Sequence, residues 1–219
     1  MRKVNARVRG DGEKTREALI QAAGVLAAER GWSMVTAKDV CDYAGVNGAS
    51  INYWFGSRDA LYEAVLKRIP EVIFSQELEI EMVQYETAEG AIRHFLDYHL
   101  SNLNAEKKWP IRIWAREVTG TPAEQLIKLF DKIGHQRMIA MRQFFADYLE
   151  IEDVNDLRVQ AAQLTTMSSV MLLMILSPKI RNHVYDGFTK DSEQFSELIK
   201  EQIMTGLSKA REDYRRLVG

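Results

Sequence analysis

The residues best equipped for chemistry stand between positions 36 and 58. Asn47, Ser50, Asn52, Tyr53 and Trp54 bring amide, hydroxyl, phenol and indole hydrogen-bond donors together, and Thr36, Lys38 and Arg58 flank them. Such a set suits recognition of a polyanion. A phenol O–H or indole N–H donates to phosphate oxygens, a contact that sets register without reading sequence. Asparagine pairs bidentately with adenine, and alanine or serine meets a thymine methyl or another base edge. Asn47, Gly48, Ala49, Ser50 and Asn52 are therefore the candidate base readers. Bond-making chemistry has no comparable constellation. The chain contains no HExxH, no Gly-rich phosphate loop and no GxSxG. His94, His99, His135 and His183 lack metal-ligand spacing with carboxylates. No catalytic residue, metal or cofactor is expected.

These side chains need a bent pair of short helices to present them. Thr36-Ala37-Lys38-Asp39 has the form of a capping box and opens a helix that runs to Ala44. Gly45 tolerates the left-handed backbone of a tight turn. Asn47 can cap the next helix, which ends near Phe55-Gly56. Val40, Ala44, Val46 and Ile51 fall where they seal the crossing, and Cys41 is small enough to sit at it. This is the layout of a helix-turn-helix, whose second helix enters the major groove. Phe55 is expected to plug the small core beside Ile51. Tyr53 lies on another face; Trp54 either donates to a phosphate or is partly buried against the helix that follows. That fourth helix is capped by Ser57 and carries Leu61, Val65, Leu66 and Ile69 before Pro70. Arg58 and the N–H groups at its start form a candidate phosphate clamp. Thr36 is a further candidate besides being a cap, and Lys38 adds to the electrostatic footprint. Upstream, residues 15–30 place Leu19, Ala22, Ala23, Leu26 and Ala27 on one stripe, and Gly31 stops the helix.

The segment TAKDVCDYAGVNGASINYWFGSRDALYEAVL resembles the DNA-binding domain of the TetR family of transcriptional regulators. The resemblance rests on Gly45-Val46 at the turn, Tyr53-Trp54-Phe55 in the recognition helix and Ser57-Arg58-Asp59-Ala60-Leu61 after it, and it covers about residues 12–70. It implies a homodimer on a near-palindromic double-stranded operator, released when a small-molecule effector enters a C-terminal helical bundle. Asn52 departs from the family, which often has tyrosine there, and Trp54 stands where a phosphate-contacting histidine is frequent. Gly48 and Ala49 leave the recognition helix poor in long side chains, so DNA shape or a basic N-terminal arm is expected to share the reading.

Charge is distributed accordingly. Residues 1–68 hold 11 Lys/Arg against 8 Asp/Glu, the remainder 18 against 23, and the first 16 residues hold six against two. This asymmetry suits a polyanion partner at one end. A single cysteine, Cys41, excludes an intrachain disulfide and fits a reducing cytosol. The N-terminus has no apolar segment of a secretory signal. The stretch AAQLTTMSSVMLLMIL falls short of the roughly 20 apolar residues of a membrane span. A cytoplasmic, all-α protein with no membrane partner is expected.

The sequence divides into a helix-turn-helix domain at 1–72 and a helical ligand-binding and dimerisation domain at 73–219. Helices are expected over 88–104, 110–119, 122–149, 154–176 and 191–216, with Thr121-Pro122-Ala123-Glu124 and Asp191-Ser192-Glu193-Gln194 as their clearest starts. Candidate pocket residues are Phe95, His99, Trp109, Arg112, Trp114, Arg116, Met138, Met141, Met167 and Met171, since methionine and aromatic linings suit an adaptable apolar pocket. The same residues suit core packing, and Arg112 and Arg116 suit a solvated face. Met171, Met174, Ile175, Phe195, Leu198, Ile199, Ile203 and Leu207 are candidates for a two-fold four-helix interface. The competing reading is a helical ligand-binding or adaptor protein with a degenerate helix-turn-helix and no operator binding.

Overall fold

In the computed structural model, which describes residues 3–103 and 109–218, every regular element is helical. The α-helices are α1 (Lys3–Arg30), α2 (Ala37–Ala44), α3 (Ser50–Phe55), α4 (Arg58–Leu66), α5 (Arg68–Ile73), α6 (Gln76–Val83), α7 (Ala88–Ser101), α8 (Trp109–Thr119), α9 (Glu124–Leu129), α10 (His135–Leu149), α11 (Leu157–Ile175), α12 (Pro178–Val184), α13 (Gly187–Lys190) and α14 (Ser192–Val218). Two units emerge: α1–α5 with α8 and α9, and α6 and α7 with α10–α14. Residue 104, the expected end of α7, and Arg2 of the basic arm lie outside the described residues.

In the first unit α1 supplies the stripe on which the rest packs. Leu19, Ile20, Ala22, Ala23, Leu26 and Ala27 are all buried, and they meet Val35, Val40, Ile51, Leu61, Val65, Leu66 and Ile69. The small residues of α1 let neighbours come close. A Cβ on Gly24 would lie 2.6 Å from ring atoms of Trp109, whose indole N–H donates to Gln21 Oε1 at 2.8 Å.

A second link explains why α8 and α9 belong with the N-terminal helices rather than with the rest of the C-terminal half. The Tyr62 hydroxyl of α4 donates to buried Glu117 Oε1 at 2.7 Å, and Glu117 Oε2 accepts from Ala123 N at 2.6 Å. Burial pushes the Tyr62 phenol well above its usual range, and the Glu117 hydrogen bond adds to it, so Tyr62 stays the donor. Trp32 stacks on Tyr62 with ring centroids 4.5 Å apart.

Glu117 also accounts for a departure from expectation at Thr121-Pro122-Ala123-Glu124. The helix begins at Glu124 with no side-chain cap, because the Ala123 N–H is already taken by Glu117. Nor do residues 122–149 form one helix: a π turn at Phe130–Gly134 separates α9 from α10. Phe130, at the turn, stacks on Trp114 at 5.2 Å, and Gly134 is a poor helix interior residue. The short helices α6, α12 and α13 are further elements that the periodicity did not announce.

The second unit is built around α7, whose Ala91, Ile92, Phe95, Leu96 and His99 are buried with Met141 and Phe145 of α10 and Val159 and Val170 of α11. Ion pairs fasten α7 to α14: Arg93 with Glu201, and Lys200 with Asp97 at 2.7 Å. Gln163 of α11 donates to the Met138 carbonyl at 2.9 Å and accepts from Arg142 Nε at 2.9 Å, so its buried amide is satisfied from two sides. Asp191 Oδ1 accepts from Gln194 N at 2.9 Å and caps the entry of α14. Among the described residues no single helix is long and apolar enough to cross a membrane.

Filling the contact between α1 and Trp109 should be costly. Gly24→Val is expected to destabilise the protein by about 1–3 kcal/mol, the usual range for overpacking, read as a fall of several degrees in Tm by circular dichroism.

Candidate nucleic-acid interface

The bend between α2 and α3 is fixed by backbone chemistry. Gly45 has φ 66 and ψ 33, a left-handed conformation, and its N–H donates to the Asp42 carbonyl while Val46 N donates to that of Cys41 at 3.0 Å. This pair of bonds closes the end of α2. Cys41 is buried where the helices cross, its Sγ 3.9 Å from the Gly48 carbonyl, and burial pushes its thiol up. Ile51 anchors α3 at 2% exposure.

With Ile51 turned in, the opposite face of α3 is turned out. Asn52 is exposed, and Tyr53 is 78% exposed with its ring edge-on to Trp54 at 4.9 Å. Asn47, Gly48 and Ala49 are exposed and Ser50 is half-buried. Asn47 has a local task, since its Oδ1 accepts from Ala49 N at 2.9 Å and secures the entry to α3. That leaves its amide N–H₂ as the group free for a base, whereas Asn52 retains both halves of a bidentate adenine contact. Phe55, expected as the core plug, is half-buried; Ile51 fills that place instead.

Several charged and hydroxyl candidates prove to be engaged locally. Thr36 is exposed and forms a complete capping box: its hydroxyl accepts from Asp39 N at 3.1 Å and donates to Asp39 Oδ2 at 2.7 Å. A hydroxyl has one proton to give, so Thr36 acts as the cap of α2. The Thr36 hydroxyl and N–H hold the Asp39 carboxyl below its usual range. Lys38 is exposed and pairs with Asp42 at 2.6 Å, which raises its ammonium above the usual value. Exposed pairs of this kind are weak, and a phosphate can replace the carboxylate.

Arg58 differs from the clamp expected of it. Its guanidinium lies over the Trp32 ring, 4.3 Å from the centroid, and donates to the Trp32 carbonyl. It braces the start of α4 against the turn after α1. Trp54 is half-buried against α1, where a Cβ on Gly12 would come within 2.9 Å of its ring, and not merely against α4.

The pocket candidates do not fall together. Trp109, Arg112, Trp114 and Arg116 belong to the first unit, where Arg112 and Arg116 are exposed and the Arg116 guanidinium lies beside Gly31. Phe95, His99, Met138, Met141, Met167 and Met171 belong to the second. Phe95, His99, Met141 and Met167 are buried there, Met138 and Met171 half-buried, and the His99 ring sits edge-on to Phe95 at 4.5 Å and Tyr98 at 5.1 Å.

Of the dimer candidates, Met174 and Leu207 are buried within the chain and Phe195 packs on Phe188 at 4.9 Å. Met171, Ile199 and Ile203 are half-buried, and Leu198 and Ile175 face solvent. Leu164 and Leu172 of α11 are exposed at 67% and 54% and were missed; their spacing of eight residues puts them on one helical face.

The bracing role of Arg58 has a direct consequence. Arg58→Ala is expected to lower stability by about 1–2 kcal/mol, through loss of a cation–π contact and a charged hydrogen bond, seen as a lower Tm. The salt dependence of DNA binding, measured well below that Tm, should stay unchanged.

Comparison with known proteins follows the same lines. The family model of the bacterial regulatory proteins, tetR family, matches residues 19–65. No curated protein matches the chain. Among solved structures, AibR in complex with isovaleryl coenzyme A and operator DNA aligns with TM-score 0.63 and 11% identity over 86% of this chain and 95% of its own. FadR from Bacillus subtilis in complex with stearoyl-CoA aligns with TM-score 0.63 and 16% identity, covering 87% and 98%. A tetR-family transcriptional regulator from Streptomyces coelicolor aligns with TM-score 0.59 and 16% identity, covering 92% and 83%. At such identities the structures share the fold, and it is the match at residues 19–65, which spans α2, α3 and nearly all of α4, that carries the assignment. By that match and that fold, the chain belongs to the TetR family of bacterial regulatory proteins.

Proposed function

We propose that the protein is a transcriptional repressor that binds a near-palindromic operator as a homodimer in the cytoplasm and releases it when a small molecule binds its second unit. It works as a binding protein and not as a catalyst. The observation that carries this reading is the division of α3: Ile51 is buried while Asn52 and Tyr53 face solvent. A six-residue helix that spends one apolar side chain on the core and turns its amide and phenol outward is shaped to read a groove.

Within this reading Asn52 contacts a base edge and Tyr53 a phosphate, with Asn47, Gly48, Ala49 and Ser50 lining the groove. Two copies of α3 sit about 34–36 Å apart, one turn of duplex. The dimer is supported by the apolar face of α11, where Leu164 and Leu172 are exposed, and by Leu198 of α14. Between α11 and α14 runs a groove of about 500 Å³ lined by Ala161, Thr165, Ser169, Ile203 and Gly206, small enough residues for close helix approach. The effector site draws on Phe95, His99, Met141 and Met167 of the second unit. AibR and FadR are complexed with acyl-coenzyme A molecules, which makes acyl thioesters the first compounds to test. An effector that prefers a different spacing of the two α3 helices shifts the population away from the DNA-bound form.

Selection of preferred sites from random duplexes, followed by anisotropy titration, tests the reading. Asn52→Ala should cost about 1–3 kcal/mol at one base position and relax preference there, while Tyr53→Phe should weaken all sequences alike. A selection that yields no preferred sequence rejects operator recognition. Leu172→Glu should convert the dimer to a monomer in light scattering and abolish binding to the two-half-site duplex.

A further inference from the structure

Helix α1 crosses the end of α3 at two points one turn apart. At the first, a Cβ on Gly12 would lie 2.9 Å from Cη2 and 3.2 Å from Cζ2 of Trp54, so the bare backbone of glycine admits the indole. At the second, four residues on, the Arg16 guanidinium lies 5.3 Å from the centroid of the Phe55 ring. A guanidinium stacked by its face keeps its in-plane N–H donors for other partners. Arg16 is exposed, as is Lys14, and neither has an ion-pair partner among the described residues. The contrast with the neighbouring cations is sharp: Lys38 is paired with Asp42, Arg68 with Glu17, and Arg58 is bound to Trp32.

We propose that this part of α1 is a second phosphate-binding surface, in which Lys14 and Arg16 contact the DNA backbone beside the groove that α3 enters. Gly12 and Trp54 are its positioning residues. The inference rests on the DNA-binding reading above and adds to it a surface outside the helix-turn-helix. The Gly12–Trp54 contact locks the rotation of α1 about its own axis relative to α3, and the Arg16–Phe55 stack repeats the lock one turn later. The cations are thereby held in fixed register with the base-reading face, so that phosphate contacts made by α1 set where Asn52 meets the bases. Basic residues also precede Gly12 in the sequence, at Lys3, Arg7 and Arg9, and they extend the attraction for the same polyanion.

Each phosphate neutralised by a protein cation contributes about 0.9 to the slope of log affinity against log salt. The test is a salt titration of full-length protein against a fluorescent duplex of mixed sequence, read by anisotropy. Lys14→Ala, which touches no packing contact, should lower the slope by about 1 per bound protomer. Lys14→Ala with Arg16→Ala should lower it by about 2, and Arg16→Lys should keep its share of the slope. Gly12→Leu should weaken binding with Lys14 and Arg16 still present, because the enlarged side chain separates α1 from Trp54. A wild type that binds the duplex with a slope unchanged in Lys14→Ala and in the double variant overturns this inference alone. A wild type that binds no duplex at any salt overturns the DNA-binding reading and this inference with it.

Discussion

The DNA-facing end of the molecule depends on the left-handed backbone at Gly45, because that residue sets the angle at which α3 leaves α2. With φ 66 and ψ 33, the turn lets Gly45 N and Val46 N satisfy the carbonyls of Asp42 and Cys41 that would otherwise be left open. A residue with a Cβ pays of the order of 1–2 kcal/mol to hold this conformation. Nothing lies within 4 Å of a Cβ built there, so the demand for glycine comes from the backbone and not from crowding. Once the angle is set, Ile51 falls into the core and Asn52 and Tyr53 fall outside. Side-chain identity on α3 then decides what is read.

Around that helix, intramolecular and intermolecular partners compete for the same polar groups. Thr36 gives its proton to Asp39, Asn47 gives an oxygen to Ala49 N, and Arg58 gives its charge to Trp32. These three groups hold the scaffold rigid and are poor candidates for DNA. The Lys38–Asp42 pair is different, since both side chains are largely exposed and such pairs are worth little in water. A phosphate can displace Asp42 at small cost. The first unit thus separates cations that build the domain from cations left for a partner.

Much of this was legible in local sequence. The buried stripe from Leu19 to Ala27, the capping box at Thr36 and the turn at Gly45 depend on residues within a few positions of one another, and all three stand in the structure. What escaped was long-range. Arg58 reads as a phosphate clamp until Trp32, 26 positions upstream, is seen beneath it. The attachment of α8 and α9 to the first unit turns on Tyr62 and Glu117, 55 positions apart. The break at Phe130–Gly134 is hidden because the apolar pattern continues through it. Leu164 and Leu172 could have been found from their spacing alone, but the uniformly apolar end of α11 masked which side lacked cover. Residue placement on the DNA face was read by resemblance and local pattern together. The pocket candidates had only composition behind them, and they divide between two units.

The central claim is that the chain meets duplex DNA through the outward face of α3 and the capped start of α2. Amide hydrogen exchange with mass-spectrometric readout, on full-length protein with and without duplex DNA, tests it most directly. The account predicts slowed exchange in peptides covering residues 36–39 and 47–55 when duplex is present. Binding accompanied by protection elsewhere, with those two segments exchanging as fast as in the free protein, would contradict it.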